Sequence, residues 1–196
     1  PQQLKYINCP PFVLYHYGSL SLLDKDCIAV IGKRDCSEYG VQATRVLVKE
    51  LVKNDIVIVS GMAKGIDGVS QRTAIRSKGH TVAVLGSGID YPYPPMNEDL
   101  YYVLKNELVL SEYPGSTPPR KDHFPKRNRI IAGLSKKLLV TEADLKSGTM
   151  ITVGFALEQG KDVLAVPGRV YDSKGCNALI QQGAKLVMNV EDILEE

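Results

Sequence analysis

The chain has 196 residues, 44% hydrophobic and 23% charged, enough to bury a full core in one domain. No apolar run approaches the roughly 20 residues that span a bilayer and the N-terminus lacks the pattern of a secretory signal, so a cytoplasmic protein without membrane contact is expected. The formal net charge of +2 hides an asymmetry: Arg120 to Lys137 holds seven basic residues against one acid, while the rest of the chain holds 17 basic against 21 acidic.

Residues 1–26 form an aromatic-containing lead (Phe12, Tyr15, Tyr17) expected to be irregular and to pack on the core. From residue 27 onward, short apolar runs alternate with longer amphipathic segments, so residues 27–196 are expected to form one βαβ-type domain. CIAVIG (Cys27 to Gly32) is the first predicted strand. Glu38 to Lys53 then carries Val41, Val48, Leu51 and Val52 at helical spacing until Asn54-Asp55 stops it. A strand at Ile56 to Ser60, a helix at Asp67 to Ser77, a strand at Thr81 to Gly86, a helix at Asn97 to Lys105 and a strand at Leu108 to Tyr113 follow. The basic segment comes next, with its helix at Arg127 to Gly133. Beyond it are a strand at Leu139 to Ala143, a helix at Thr149 to Gln159 and a strand at Val163 to Gly168. A helix at Asn177 to Gln182, an edge strand at Lys185 to Met188 and a helical turn at Val190 to Leu194 close the chain. Strands of continuous Val, Ile and Leu are buried on both faces. The fold class is therefore α/β, a doubly wound, mostly parallel sheet with helices on both faces, and its ligands should sit beyond the carboxyl ends of the strands.

Those strand ends carry the candidate chemistry. Gly32-Lys33-Arg34 follows the first strand, where glycine permits close backbone approach and Arg34 can hold a phosphate, although a glycine after a strand more often serves plain turn chemistry. Ser60 to Gly68 packs three glycines with Lys64 and Asp67 between a strand and a helix, an anion-cradling pattern that does not match GxxxxGK[ST]. Gly86-Ser87-Gly88 lacks the third glycine of a dinucleotide fingerprint. Ser147-Gly148-Thr149 stands at a helix start, where Ser147 can act as N-cap while free amides meet a phosphate. Glu142 at a strand end is assigned first to a structural role, and His80 to a turn. His123, beside Phe124, is open to stacking or phosphate contact. Neither His nor Cys shows a metal-ligand spacing, the cysteines Cys9, Cys27, Cys36 and Cys176 are isolated, and no nucleophile motif occurs. The basic run around Phe124 suits a polyanion whose bases can stack; a solvated helix face is the plainer reading.

SGMAKGID (Ser60 to Asp67), AVLGSGIDYPYPPMN (Ala83 to Asn97), LSEYPGSTPP (Leu110 to Pro119), FPKRNRIIAGLS (Phe124 to Ser135), EADLKSGTMIT (Glu142 to Thr152) and AVPGRVYDSKGCNALIQQGA (Ala165 to Ala184) together resemble the DprA/Smf DNA-processing family, in order and across nearly the whole chain. The resemblance implies an extended Rossmann-like domain that binds single-stranded DNA, forms a homodimer and helps load the RecA recombinase in natural transformation, with no enzymatic activity and no cofactor. By position, DNA contacts would fall on Arg34, Ser60, Gly61, Met62, Phe124, Lys126, Arg127 and Arg129. Lys64, Asn128, Ser147, Gly148 and Thr149 join them as candidates on the same loops. Lys33 replaces the family's small hydroxyl residue, and Ser70-Gln71 replaces an Ala-His pair. Since the chain opens at Pro1, the core of a longer protein is expected, without the family's flanking domains. Ile151, Phe155, Leu179, Ile180 and Leu186 can serve either an interface or the core. A nucleotide-binding enzyme or sensor of the phosphoribohydrolase-like class is the alternative, although Lys146 and Thr152 depart from that class's phosphate loop.

Overall fold

The computed structural model describes residues 1–195. It contains eight strands, β1 (Tyr15–Gly18), β2 (Cys27–Gly32), β3 (Val57–Ser60), β4 (Thr81–Gly88), β5 (Leu108–Tyr113), β6 (Lys137–Glu142), β7 (Asp162–Ala165) and β8 (Lys185–Leu186). The helices are α1 (Glu38–Lys53), α2 (Ile66–Arg76), α3 (Glu98–Leu104), α4 (His123–Leu134), α5 (Gly148–Glu158), α6 (Lys174–Gln181) and α7 (Glu191–Leu194). The strands form one sheet in the order β1-β5-β4-β3-β2-β6-β7-β8. Every pairing is parallel except β1 with β5.

Alternate residues of the buried strands face opposite layers, as the period of two requires. Ala29, Ile31, Val57, Val59, Val82, Val84, Leu138 and Val140 pack with Ile130, Ile131 and Leu134 of α4 and Val153 and Ala156 of α5. Ile28, Val30, Ile58, Leu139 and Leu164 face the other way, onto Leu47, Val48 and Leu51 of α1 and Ile66 and Ala74 of α2. A third cluster packs Ala83, Leu85 and Val109 on Leu100, Tyr101 and Leu104 around α3. Helices thus cover both faces of a mostly parallel sheet, the doubly wound arrangement expected from the continuous apolar runs.

The N-terminal lead is less irregular than its sequence suggests. Tyr15 to Gly18 pairs antiparallel with β5 as an edge strand, in the register Tyr15 to Ser111 and Gly18 to Leu108. Its side chains are mostly exposed, so it carries no apolar alternation to reveal it. Leu4 and Ile7 pack beside Gly133 of α4, where an added Cβ would lie 2.7 Å from Leu4 Cδ2. Further boundaries move, among them β7, which ends at Ala165 rather than Gly168, and α6, which begins at Lys174 rather than Asn177. The helix in the basic segment begins at His123 rather than Arg127, and a 3-10 turn at Pro95–Asn97 precedes α3, which opens at Glu98.

Sheet order reverses between β2 and β6, and the two strands are fastened there from above. Glu142, at the end of β6 and 3% exposed, accepts hydrogen bonds at Oε2 from both the backbone N–H (2.9 Å) and the hydroxyl (3.0 Å) of Ser37, the N-cap of α1. A carboxylate is favoured at this helix N-terminus, and Gly40 lets it approach, because a Cβ there would stand 2.0 Å from Oε2. One turn below, Thr44 Oγ1 donates to Gly40 O at 2.7 Å and lies 2.8 Å from Thr141 Oγ1. The structural role assigned to Glu142 is thereby specified: it holds the head of α1 against β6. Glu142→Ala leaves two donors of Ser37 without their acceptor and should lower unfolding free energy by about 1–3 kcal/mol in urea denaturation, with Gln recovering part of the loss.

Candidate functional site

A cavity of about 650 Å³ opens at this reversal point, beyond the carboxyl ends of β2 and β6. Its walls come from the loop after β2 (Gly32, Lys33, Arg34), the turn into α5 (Asp144, Ser147, Gly148, Thr149), the first turns of α4 (Phe124, Arg127, Asn128) and Tyr93 from the loop after β4. Doubly wound sheets place ligands at this position because neighbouring loops diverge to opposite faces and leave a crevice.

The floor is built around Arg127. Only 5% exposed, it donates from Nη1 to Gly61 O at 2.8 Å and to Val84 O, joining the loop after β3 to β4. Burial pushes its pKa down to about 10, with the Asp67 carboxylate opposing that shift, so the guanidinium stays charged at neutral pH. Asp67 accepts from Gly61 N–H at 3.1 Å; burial raises its pKa, and Arg127 and backbone donors pull it back. Gly61 is obligatory between them, since a Cβ would lie 2.7 Å from both Arg127 Nη2 and Asp67 Oδ2. Met62 adopts φ 54°, and Asn97 Nδ2 donates to the carbonyls of Met62 and Ala63 at 3.0 and 3.1 Å. Ser60 donates to Val30 O at 2.7 Å. Ser60 and Met62 are completely buried. They shape the loop from within and do not line the cavity.

The rim is aromatic and cationic. Phe124 packs against Gly86, where a Cβ would come within 2.6 Å of the ring, and its centroid is 5.7 Å from that of Tyr93. The Arg34 guanidinium stands 5.7 Å from the Phe124 ring centroid, within the range of a cation–π contact. Three acids line the cavity besides these groups, and each has a cation. Asp144 pairs with Lys33 at 2.9 Å, Asp35 pairs with Lys64, and Asp67 faces Arg127. Arg34 and Lys121 are the lining cations without an acidic partner among the described residues. Across the cavity, Ser147 Oγ donates to Asp144 O at 2.9 Å rather than capping α5. The expected side-chain cap is thus absent, and the Gly148 and Thr149 amides, which have no intrahelical acceptor at these positions, sit in the cavity wall.

The remaining candidates lie elsewhere. Lys126 is exposed and pairs with Asp122 at 3.1 Å, one helical turn away and outside the lining. Arg129 is 9% exposed; both its terminal nitrogens reach Glu112 at 2.6 Å, and its Nε donates to Cys9 O at 2.8 Å, tying down the N-terminal lead. His123 is buried and stacked on Tyr113 at 3.8 Å, with Nδ1 3.2 Å from Gly86 O, so it is withdrawn from phosphate. His80 is held 2.9 Å from Glu107 rather than serving only as a turn residue. Charge density in sequence therefore overstated the exposed charge, because two arginines of the basic segment turn inward. Sequence reading also missed Tyr93, whose place beside Phe124 exists only in three dimensions, and Lys121, whose distinction from its basic neighbours is its lack of a carboxylate. Leu179 belongs to the core and Phe155 and Ile180 pack partly against it, while Ile151 and Leu186 are exposed. Among the described residues no cluster of His, Cys, Asp and Glu is placed to hold a metal ion, the four cysteines are unpaired, and no helix is long and apolar enough to cross a membrane.

Comparison with known proteins agrees with this architecture. The chain is 45% identical over 199 residues to the DNA processing protein DprA of Streptococcus pneumoniae, covering 100% of this chain and 70% of that protein. DprA of Bacillus subtilis is 46% identical over 200 residues, covering 100% of this chain and 67% of its own. The X-ray structure of the S. pneumoniae protein superposes with a TM-score of 0.96, covering 99% of this chain and 69% of that one. A Helicobacter pylori DprA structure, solved for its single-stranded DNA binding mode, gives a TM-score of 0.92 at 35% identity, covering 98% and 90%. The family model for DNA recombination-mediator protein A matches residues 1–196, and the chain belongs to that family.

Proposed function

We propose that this chain is a single-stranded DNA-binding module that assists loading of the RecA recombinase during natural transformation, acting in the cytoplasm as a homodimer and without catalysis. One observation carries the reading: two unpaired cations, Arg34 and Lys121, flank an aromatic pair, Phe124 and Tyr93, at the mouth of a cavity walled by free helix amides. Cations and amides hold phosphates, whereas aromatic faces accept bases that have left a helical stack. Duplex DNA keeps its bases stacked and paired and offers such a platform little. The related H. pylori protein, described by its single-stranded DNA binding mode, supports the same ligand. Recombinase loading and dimerisation rest on membership of the family. Neutralisation of the cavity acids by Lys33, Lys64 and Arg127 favours a polyanion further, since no unopposed carboxylate repels it.

Fluorescence anisotropy of a labelled oligothymidine over a salt series tests the ligand. The unaltered chain should bind in a strongly salt-dependent way and resist competition by duplex DNA and by AMP; displacement by AMP would point to a mononucleotide pocket instead. Arg34→Ala and Lys121→Ala should each reduce the salt slope by about one while leaving the unfolding midpoint in place. Phe124→Leu, which retains an apolar contact with Gly86, should weaken binding by about 1–3 kcal/mol, the stacking contribution of one base. Arg127→Ala should behave differently: it strands the Gly61 and Val84 carbonyls and leaves Asp67 without its cation, so a loss of about 3 kcal/mol of stability should accompany any loss of binding.

A further inference from the structure

The polar contacts described so far fix phosphates and leave base identity unread. Asn128 adds something different. It is 9% exposed, lies one residue beyond Arg127 in α4 and lines the cavity. Arg127 Nε lies 3.1 Å from the Asn128 side chain. Since a guanidinium only donates, the amide atom facing it is the oxygen. The amide is therefore locked in one orientation, with its NH₂ group directed away from Arg127. That Nδ2 has no protein partner among the described residues, and it is not among the sealed, unpartnered atoms of the interior, so its open side is the cavity. Arg127 cannot release the oxygen readily, because Gly61 O and Val84 O hold the same guanidinium from its other side.

We propose that Asn128 is a base-reading residue: its fixed NH₂ donates to a carbonyl oxygen of one base inserted past Phe124 and Tyr93, favouring thymine over adenine at that position. This rests on the single-strand reading above and deepens it. Thymine offers a carbonyl at each end of its pairing edge. Adenine carries an exocyclic amine in place of thymine O4, which would set a donor against the Asn128 donor, and its N1 or N7 acceptor meets that donor only if the base shifts on the Phe124 and Tyr93 faces. A buried donor that meets another donor forfeits its hydrogen bond and its hydration together, so discrimination arises at this one site while stacking at the rim stays indifferent to sequence.

Asn128→Asp is the appropriate variant, for it keeps the oxygen that Arg127 holds and replaces the outward donor by an acceptor at nearly constant shape. Anisotropy titrations with oligothymidine and oligoadenosine of equal length, on the unaltered chain and on N128D, give the readout as a ratio of dissociation constants. The ratio matters because the added negative charge and the self-stacking of adenine tracts affect the separate affinities. The thymine preference should fall by about fivefold in N128D, the factor that one net hydrogen bond supplies. Asn128→Ala, which removes the donor without adding charge, should lower the ratio in the same direction. Equal weakening for both oligomers, with an unchanged ratio in both variants, overturns base reading and leaves single-strand binding standing. Absence of binding to either oligomer by the unaltered chain overturns the single-strand reading and this one with it.

Discussion

A single guanidinium holds the site together. Arg127 arises from the first turns of α4, passes under the glycine loop after β3 and ends on the carbonyls of Gly61 and Val84. Taking a charged group out of water is costly unless every donor finds an acceptor and a countercharge lies close. Here the two carbonyls take Nη1, the Asn128 oxygen takes Nε, and the nearby Asp67 carboxylate supplies the countercharge. The same arrangement fixes what surrounds it. Gly61 cannot carry a side chain, Asp67 must stay beneath the loop, and Asn128 cannot turn its amide. The rigidity of the cavity floor follows from one buried charge held at Nε and Nη1 from two sides.

Around that floor, electrostatics is settled by pairing rather than by composition. The basic segment holds seven cations, yet Arg127 and Arg129 point inward and Lys126 has Asp122 beside it. At the cavity the field a polyanion meets is set by Arg34 and Lys121, the lining cations without an acidic partner among the described residues, and by the two open amides at the head of α5. Free surface cations exchange their counterions for phosphate, whereas a cation already satisfied by a carboxylate or a carbonyl has little to gain. Glu142 plays the complementary part on the other wall. As a buried acceptor at the head of α1 it fixes the loop that carries Arg34, so a residue with no access to ligand determines where the ligand-facing one stands.

Much of the scaffold was legible in the chain because it depends on local rules. Helix α1 falls where Val48 and Leu51 recur on one face and ends where Asn54-Asp55 stops it, and β5 coincides with its apolar run to both ends. Failures occurred where local rules compete with distant contacts. β1 has no buried face and exists because β5 offers an open edge, a fact absent from its own residues. α4 starts a turn early since His123 stacks on Tyr113, and the Ser147 hydroxyl turns to Asp144 O in preference to the helix it precedes.

The sequence alone determined the layered α/β class, the series of strands and helices, the strand ends as the place for chemistry and the family to which the chain belongs. These follow from apolar periodicity, turn residues and ordered motifs, all of which are read within a few residues. Only the tertiary structure decided which members of a motif meet a ligand. In the run Phe124 to Arg129, Phe124 lies at the rim, Arg127 supports the floor, Asn128 lines the cavity with its oxygen held by Arg127, and Arg129 ties the N-terminal lead at Cys9 to Glu112. Neighbours on a helix point about 100° apart, so adjacent residues of similar chemistry enter different surroundings. Burial and the partners found there decide whether each charge is spent inside the fold or left for the ligand.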